Sequence, residues 1–194
     1  MTKVFCIGLH KTGTTTLAKC FEILGLRVCP EAEAYKLRAE VASRDYVDLL
    51  NLVGQYDAFE DSPWNYRDVY RVLDTAFPES RFILTVRDSE RWVDSILRWA
   101  VYNYSYDDLS YYETFGCSVR AEFRSQMING FESYCAAVKE YFSTRPGSLL
   151  VMDVSLNSWK ALCEFLELPI PNVEFPHMLR FVPGLNMYTN LRSS

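Results

Sequence analysis

Val4-Phe5-Cys6-Ile7-Gly8-Leu9-His10-Lys11-Thr12-Gly13-Thr14-Thr15-Thr16, close to the start of the chain, decides the fold. A run of apolar, strand-type residues enters a glycine-bounded loop. The loop opens into a segment with Leu17, Cys20, Phe21 and Leu24 at helical spacing. Strand, tight loop and helix in that order aim backbone N–H groups and the positive end of a helix at one point, which is an anion site suited to phosphate. The loop of nucleoside triphosphatases reads Gly, four residues, then Gly-Lys-Ser/Thr. Here Gly13 is followed by Thr14 and Thr15, and the lysine of the loop, Lys11, precedes it. The loop suits a phosphate but lacks the Gly-Lys-Ser/Thr order that holds a magnesium-bound triphosphate.

Outward from this loop, strands and helices alternate. Gly25 ends the first helix, residues 27–29 predict a short strand, and residues 31–53 are mostly helical in pattern. Residues 58–61 read as a strand closed by Ser62-Pro63, residues 66–76 as a helix, and residues 81–87 as the clearest strand after the first. A helix over 89–102 is expected with Ser89 as its N-cap. Residues 103–117, rich in Tyr, Asp and Ser, have no helical period and read as a long loop. A long helix over 118–143, a strand over 149–152 and a helix over 158–166 follow, and the chain from Pro169 onward is irregular. The alternation predicts an α/β fold over residues 1–194, with a parallel sheet between two helical layers and P-loop-like architecture. Ligands bind such sheets at the carboxyl ends of the strands.

With 49% hydrophobic residues, the chain can bury a core without disulfides or metals. The six cysteines contain no Cys-x-x-Cys pair, and several lie in apolar segments, as reduced core thiols do. A net charge of −5 argues against nucleic-acid binding. No apolar run approaches the ~20 residues of a membrane span, and the opening strand leaves no room for a signal peptide. A cytoplasmic protein is expected.

Three groups carry candidate chemistry. Lys11 is a cation able to neutralise charge on a transferring group. Thr14, Thr15 and Thr16 begin a helix although β-branched residues are poor helix formers, which favours ligand contacts beside one ordinary capping role. Thr85-Val86-Arg87-Asp88 ends a buried strand, so Arg87 lies on the ligand edge of the sheet. Ser95 follows eight residues later, about two helical turns on.

At these positions the chain resembles the sulfotransferases that use 3′-phosphoadenosine 5′-phosphosulfate (PAPS). Their 5′-phosphosulfate loop reads Lys-Ser/Thr-Gly-Thr-Thr, here Lys11-Thr12-Gly13-Thr14-Thr15. Their 3′-phosphate site uses an arginine at a strand end and a later serine, here Arg87 and Ser95. The resemblance extends to a branch of short, soluble sulfotransferase-like proteins through Glu60-Asp61-Ser62-Pro63, residues 78–88, residues 159–166 and Phe175-Pro176-His177. It implies PAPS as co-substrate, Lys11 to Thr16 with Arg87 and Ser95 as its contacts, and no metal. Two departures stand out. The late Arg-Lys-Gly motif of the cytosolic members is absent, leaving Arg180 and Arg192 as basic residues of the tail. Thr16 stands where an adenine-stacking aromatic often follows the two threonines.

The implied reaction needs a base for the acceptor hydroxyl or amine. Asp61, at a strand end, is the first candidate; Glu60, His10 and His177 are alternatives, with Glu60 pointing away from Asp61 if the segment is extended. Tyr102, Tyr104, Tyr106, Tyr111, Tyr112 and Phe115 read equally as a lid over a small-molecule or glycan acceptor and as a surface or oligomer contact. A second copy of the chain could complete the acceptor site. The competing readings are a P-loop-type kinase and an inactive nucleotide-binding module of the same fold.

Overall fold

The computed structural model describes residues 2–103, 109–156 and 159–178. Its centre is a parallel sheet in the order β2-β1-β3-β4, from β1 (Val4–Cys6), β2 (Ala58–Phe59), β3 (Arg81–Thr85) and β4 (Leu149–Met152). Phe5 is in register with Phe59 on one side and Phe82 on the other. β1 and β3 are buried on both faces, which explains their unbroken apolar character.

Alternation divides the side chains between two cores. Val4, Cys6, Ala58, Ile83 and Met152 pack under α1 (Thr14–Ile23) and α9 (Trp159–Leu166). Phe5, Ile7, Phe59, Phe82 and Leu84 face α4 (Val47–Val53), α5 (Val69–Ala76), α6 (Ser89–Asn103) and α8 (Arg124–Tyr141). The second core is built on rings. Phe5 stacks on Phe59 at 4.9 Å and on Phe82 at 5.4 Å, and Phe82 meets Phe142 at 4.9 Å. The expected three-layer α/β arrangement is present.

Several local expectations change. Residues 27–29 supply a single parallel bridge, Val28 to Ala58, because β2 is two residues long and offers little edge to pair with. Residues 31–53 break into α2 (Glu31–Ala34), a 3₁₀ turn, α3 (Arg38–Ala42) and α4. The predicted loop at 103–117 contains α7 (Leu109–Phe115), which packs on α3 and α8 through buried Tyr111, Thr114 and Phe115. The predicted long helix begins with a 3₁₀ turn at Ala121–Phe123, and α8 follows it. Asp88, not Ser89, caps α6: its carboxylate accepts from Arg91 N–H at 2.9 Å and its carbonyl from Trp92 N–H at 2.8 Å. All six cysteines are free and buried, as their apolar settings predict. Among the described residues no helix is long and apolar enough to cross a membrane.

The chain leaves β1 into α1 on one face of the sheet and leaves β3 into α6 on the other. The two connections diverge at the carboxyl ends of β1 and β3, the place where open parallel sheets bind ligands.

An ion pair between buried Asp74 and exposed Arg145 locks the opposite end. Asp74, at the end of α5, accepts from both terminal nitrogens of Arg145 at 2.9 and 2.8 Å and from Tyr141 Oη at 2.7 Å. Burial opposes ionisation of Asp74, but these donors hold its carboxyl below the usual range. Asp74→Ala should lower stability by about 2 kcal/mol, as expected when charged hydrogen bonds are lost from partly buried donors. Urea denaturation with an unchanged slope is the measurement.

Candidate functional site

Gly8 lies where β1 runs out against β3. A Cβ there would sit 1.8 Å from Thr85 Oγ1 and 2.8 Å from Thr85 N, so only glycine fits. Beyond it the chain turns back, and the buried Thr12 hydroxyl donates to Leu9 O at 2.6 Å and lies 2.5 Å from Thr85 Oγ1. Lys11 and Gly13 adopt φ of 68° and 107°, the left-handed region. Gly13 also meets the 3₁₀ turn Val154–Leu156 that follows β4: a Cβ would approach Val154 Cγ2 to 1.9 Å. Loop shape is therefore fixed from outside the loop, by Thr85 and Val154.

The threonines are placed differently from one another. Gly13 is the N-cap of α1 and no side chain caps the helix, so the expected capping threonine is not found. Thr14 turns inward to bond the Glu60 carboxyl. Thr16 is buried and accepts from Met178 N–H at 3.2 Å, which ties the tail across the first turn of α1. Thr15 is exposed. The first amides of α1 thus keep the uncapped character that suits an anion.

Lys11 is half-buried. Burial pushes its amine below the ordinary lysine value, Asp61 pulls it back up, and Arg87 adds to the lowering. Arg87 is exposed and donates from Nη1 to Lys11 O at 3.4 Å, so the strand-end arginine does reach the loop. Ser95 is half-buried on α6, without a side-chain partner among the described residues.

The candidate bases converge more than the sequence implied. His10 Nε2 is in hydrogen-bonding contact with Asp61 Oδ1 and lies 3.1 Å from Ser62 Oγ. Asp61 Oδ1 also accepts from Ser62 N–H at 3.0 Å, and Asp61 O accepts from Asn65 N–H at 3.2 Å. Trp92 Nε1 donates to His10 O at 2.8 Å, and the imidazole stacks on Trp99 at 6.3 Å with Tyr111 edge-on at 5.5 Å. Asp61 has φ of 66°, so the segment is not extended and the argument that set Glu60 and Asp61 on opposite sides fails. Burial, then the charges of Asp61 and Glu31, raise the Glu60 carboxyl well above the usual range, against the bond from Thr14.

Of the predicted aromatic lid, Tyr111 and Phe115 are buried near His10 and Tyr112 is exposed. Tyr104, Tyr106, Arg180 and Arg192 lie outside the described residues, as does the Tyr102 side chain. His177 is exposed in the tail, one residue before the Met178 contact with Thr16. Sequence reasoning missed that contact and also Trp92 and Trp99 as the setting of His10. Trp92 and Trp99 are seven residues apart on a predicted helix, which puts both on one face and was the signal available.

The sulfotransferase domain family matches residues 3–107 and 97–180. This chain belongs to the sulfotransferase family. The matched segments include the loop, the His10–Asp61 pair and the arginine and serine that follow β3. A curated relative, "Ava biosynthesis cluster protein M" of Aspergillus versicolor, is 28% identical over 91% of this chain and 80% of its own length. The four-stranded parallel sheet with its strand-loop-helix is consistent with the P-loop-like fold of sulfotransferases.

The loop leans on one hydroxyl pair. Thr85→Val keeps the shape of Thr85 and removes the partner of Thr12, leaving a buried hydroxyl short of one bond. A loss of about 1 kcal/mol in stability is expected, and thermal denaturation reads it.

Proposed function

We propose that the chain moves a sulfuryl group from PAPS to a hydroxyl or amine of a small-molecule, sugar or lipid acceptor. The observation that carries this reading is the convergence of three features at one sheet edge: Lys11, Arg87 bonded to its carbonyl, and the His10–Asp61 pair in the adjoining residue. The uncapped start of α1 and the left-handed loop fit a phosphosulfate, and Arg87 with Ser95 fits a second phosphate.

When bound, PAPS supplies a sulfuryl group on a good leaving phosphate, and its transfer resembles phosphoryl transfer, where positioning and charge stabilisation contribute most. Lys11 and the loop amides stabilise the charge that builds at the leaving oxygen. The His10–Asp61 pair holds one proton between Nε2 and Oδ1 and takes the second from the acceptor. Trp92 fixes the backbone at His10, and Trp99 and Tyr111 hold its ring. No residue of this scheme requires a metal.

Lys11→Ala should lower transfer by orders of magnitude with little change in stability. Arg87→Ala should weaken adenosine 3′,5′-bisphosphate by about 2 kcal/mol, the scale of one charge-assisted contact, and Ser95→Ala by less. Stabilisation by magnesium-ATP but not by the bisphosphate would sink the reading in favour of a kinase. Tight bisphosphate binding without transfer to any phenol, sugar, lipid or amine would make the chain a binding module.

Burial lowers the Lys11 value, so its charge is lost at a lower pH than that of an exposed lysine. Bisphosphate affinity should therefore fall as pH rises, starting below the range where free lysine titrates. Lys11→Arg should remove that alkaline decline, because arginine keeps its charge. Titration calorimetry across alkaline pH tests the sign. For the base, Asp61→Asn should preserve nucleotide binding and abolish most turnover. Near-normal turnover would remove the pair from this role.

A further inference from the structure

Two backbone-bonded turns lead from Asp61 toward α5: Asp61 O accepts from Asn65 N–H at 3.2 Å, and Pro63 O from Tyr66 N–H at 3.1 Å. Where they end there is a cavity of about 300 Å³, at the meeting of the end of α3, the turn into α4 and the start of α5. That volume is at the lower end of the range for small-molecule sites. Val41, Tyr46, Tyr66 and Val69 give the cavity apolar walls, and Arg44, Arg67 and Asp68 give it charge.

The charge there is unbalanced. Asp68 lies between two guanidinium groups, 4.0 Å from Arg44 Nη1 and 3.6 Å from Arg71 Nε, and both separations are too long for a hydrogen bond. Arg71 is taken up from its other side by the Tyr141 ring, 4.5 Å away. Arg67 is exposed and forms neither an ion pair nor a hydrogen bond among the described residues. Three guanidinium groups thus share one carboxylate, on a chain whose net charge is −5. Asp68 also precedes α5 without making a side-chain cap bond to it, so the positive end of that helix adds to the excess.

A ligand that matches this cavity carries an oxyanion for the arginine donors and an apolar body for the valine and tyrosine walls. A cation is repelled, an uncharged ring leaves the arginines unmatched, and a bare phosphate leaves the walls wet. We propose that the cavity binds a small aromatic oxyanion, with its anionic group on Arg44 and Arg67 and its ring against Val41, Tyr46 and Val69. Neither Lys11 nor Arg87 takes part, so the site stands apart from the transfer reaction and does not depend on it. Asp68 competes with the ligand for the same arginines, and removing its charge strengthens binding.

The test titrates phenyl phosphate, phenol and inorganic phosphate into the full chain with its valine methyl groups isotopically labelled. The magnetic resonance signals of Val41 and Val69 report the cavity. Val154, which packs against Gly13, reports the loop after β1 separately, so an anion taken up there is told apart. Phenyl phosphate should shift Val41 and Val69 and bind about tenfold more tightly than phenol or phosphate alone. Arg67→Gln, at an exposed and unpaired side chain, should weaken that binding about tenfold. Asp68→Asn should strengthen it about threefold, the scale of one exposed charge pair. Val41 and Val69 signals that stay in place, a shift confined to Val154, equal affinity for phenol, or an affinity unchanged in both variants would overturn the site.

Discussion

The contact between Thr12 and Thr85 is the constraint on which the rest of the site depends. It joins the loop after β1 to the last residue of β3 through two buried hydroxyls. The join is possible because Gly8 lets the two strands approach more closely than any side chain would permit. From that one clasp follow the turn at Lys11, the direction of α1, and the meeting of the loop carbonyl with Arg87. A loop with two left-handed residues would otherwise sample many shapes. Here Thr85 and Val154 leave it one, so the loop holds its shape before any ligand arrives.

The aromatic core serves this arrangement from below. Phe5, Phe59 and Phe82 sit in register across three strands, and Tyr134 Oη donates to Ile7 O at 2.6 Å at the point where β1 gives way to the loop. Trp92 then carries the connection outward by holding His10 from α6. The loop after β1, the His10–Asp61 pair and the sheet are thus bonded through backbone carbonyls, which do not change with side-chain rotamers. Substitutions far along the chain, in α6 or α8, can reach the loop through these bonds.

The sequence carried the fold because its signals are local and periodic. Val4 to Ile7, Phe82 to Val86 and Leu149 to Met152 are short apolar runs between breakers, and the helix after Gly13 shows its inner face plainly. Where the reading failed, distant partners decided. The helix Leu109–Phe115 forms from a polar, Tyr-rich stretch because α3 and α8 bury three of its side chains, an influence absent from the stretch itself. Thr14 and Thr16 look like caps locally, but their hydroxyls are claimed by Glu60 and Met178 from other parts of the chain. His10 and Asp61 were each legible as proton-handling residues. Their pairing was not, because it depends on a left-handed turn at a non-glycine residue that no periodicity announces.

The six buried thiols give this molecule a built-in clock for its own breathing. Cys6 lies 4.0 Å from the Thr85 hydroxyl, and burial first, then the nearby Glu60 charge, pushes its thiol up to about 12. A thiol that is both sealed and protonated reacts with an alkylating reagent only when the structure around it opens. Cys135, in α8 on the other face of the sheet, has its thiol pushed up to about 11 by burial and depends on a different opening. Labelling rates resolved by cysteine therefore time the lifting of α1 and α9 from the sheet, which uncovers Cys6, independently of the loosening of α8, with no probe added to the protein.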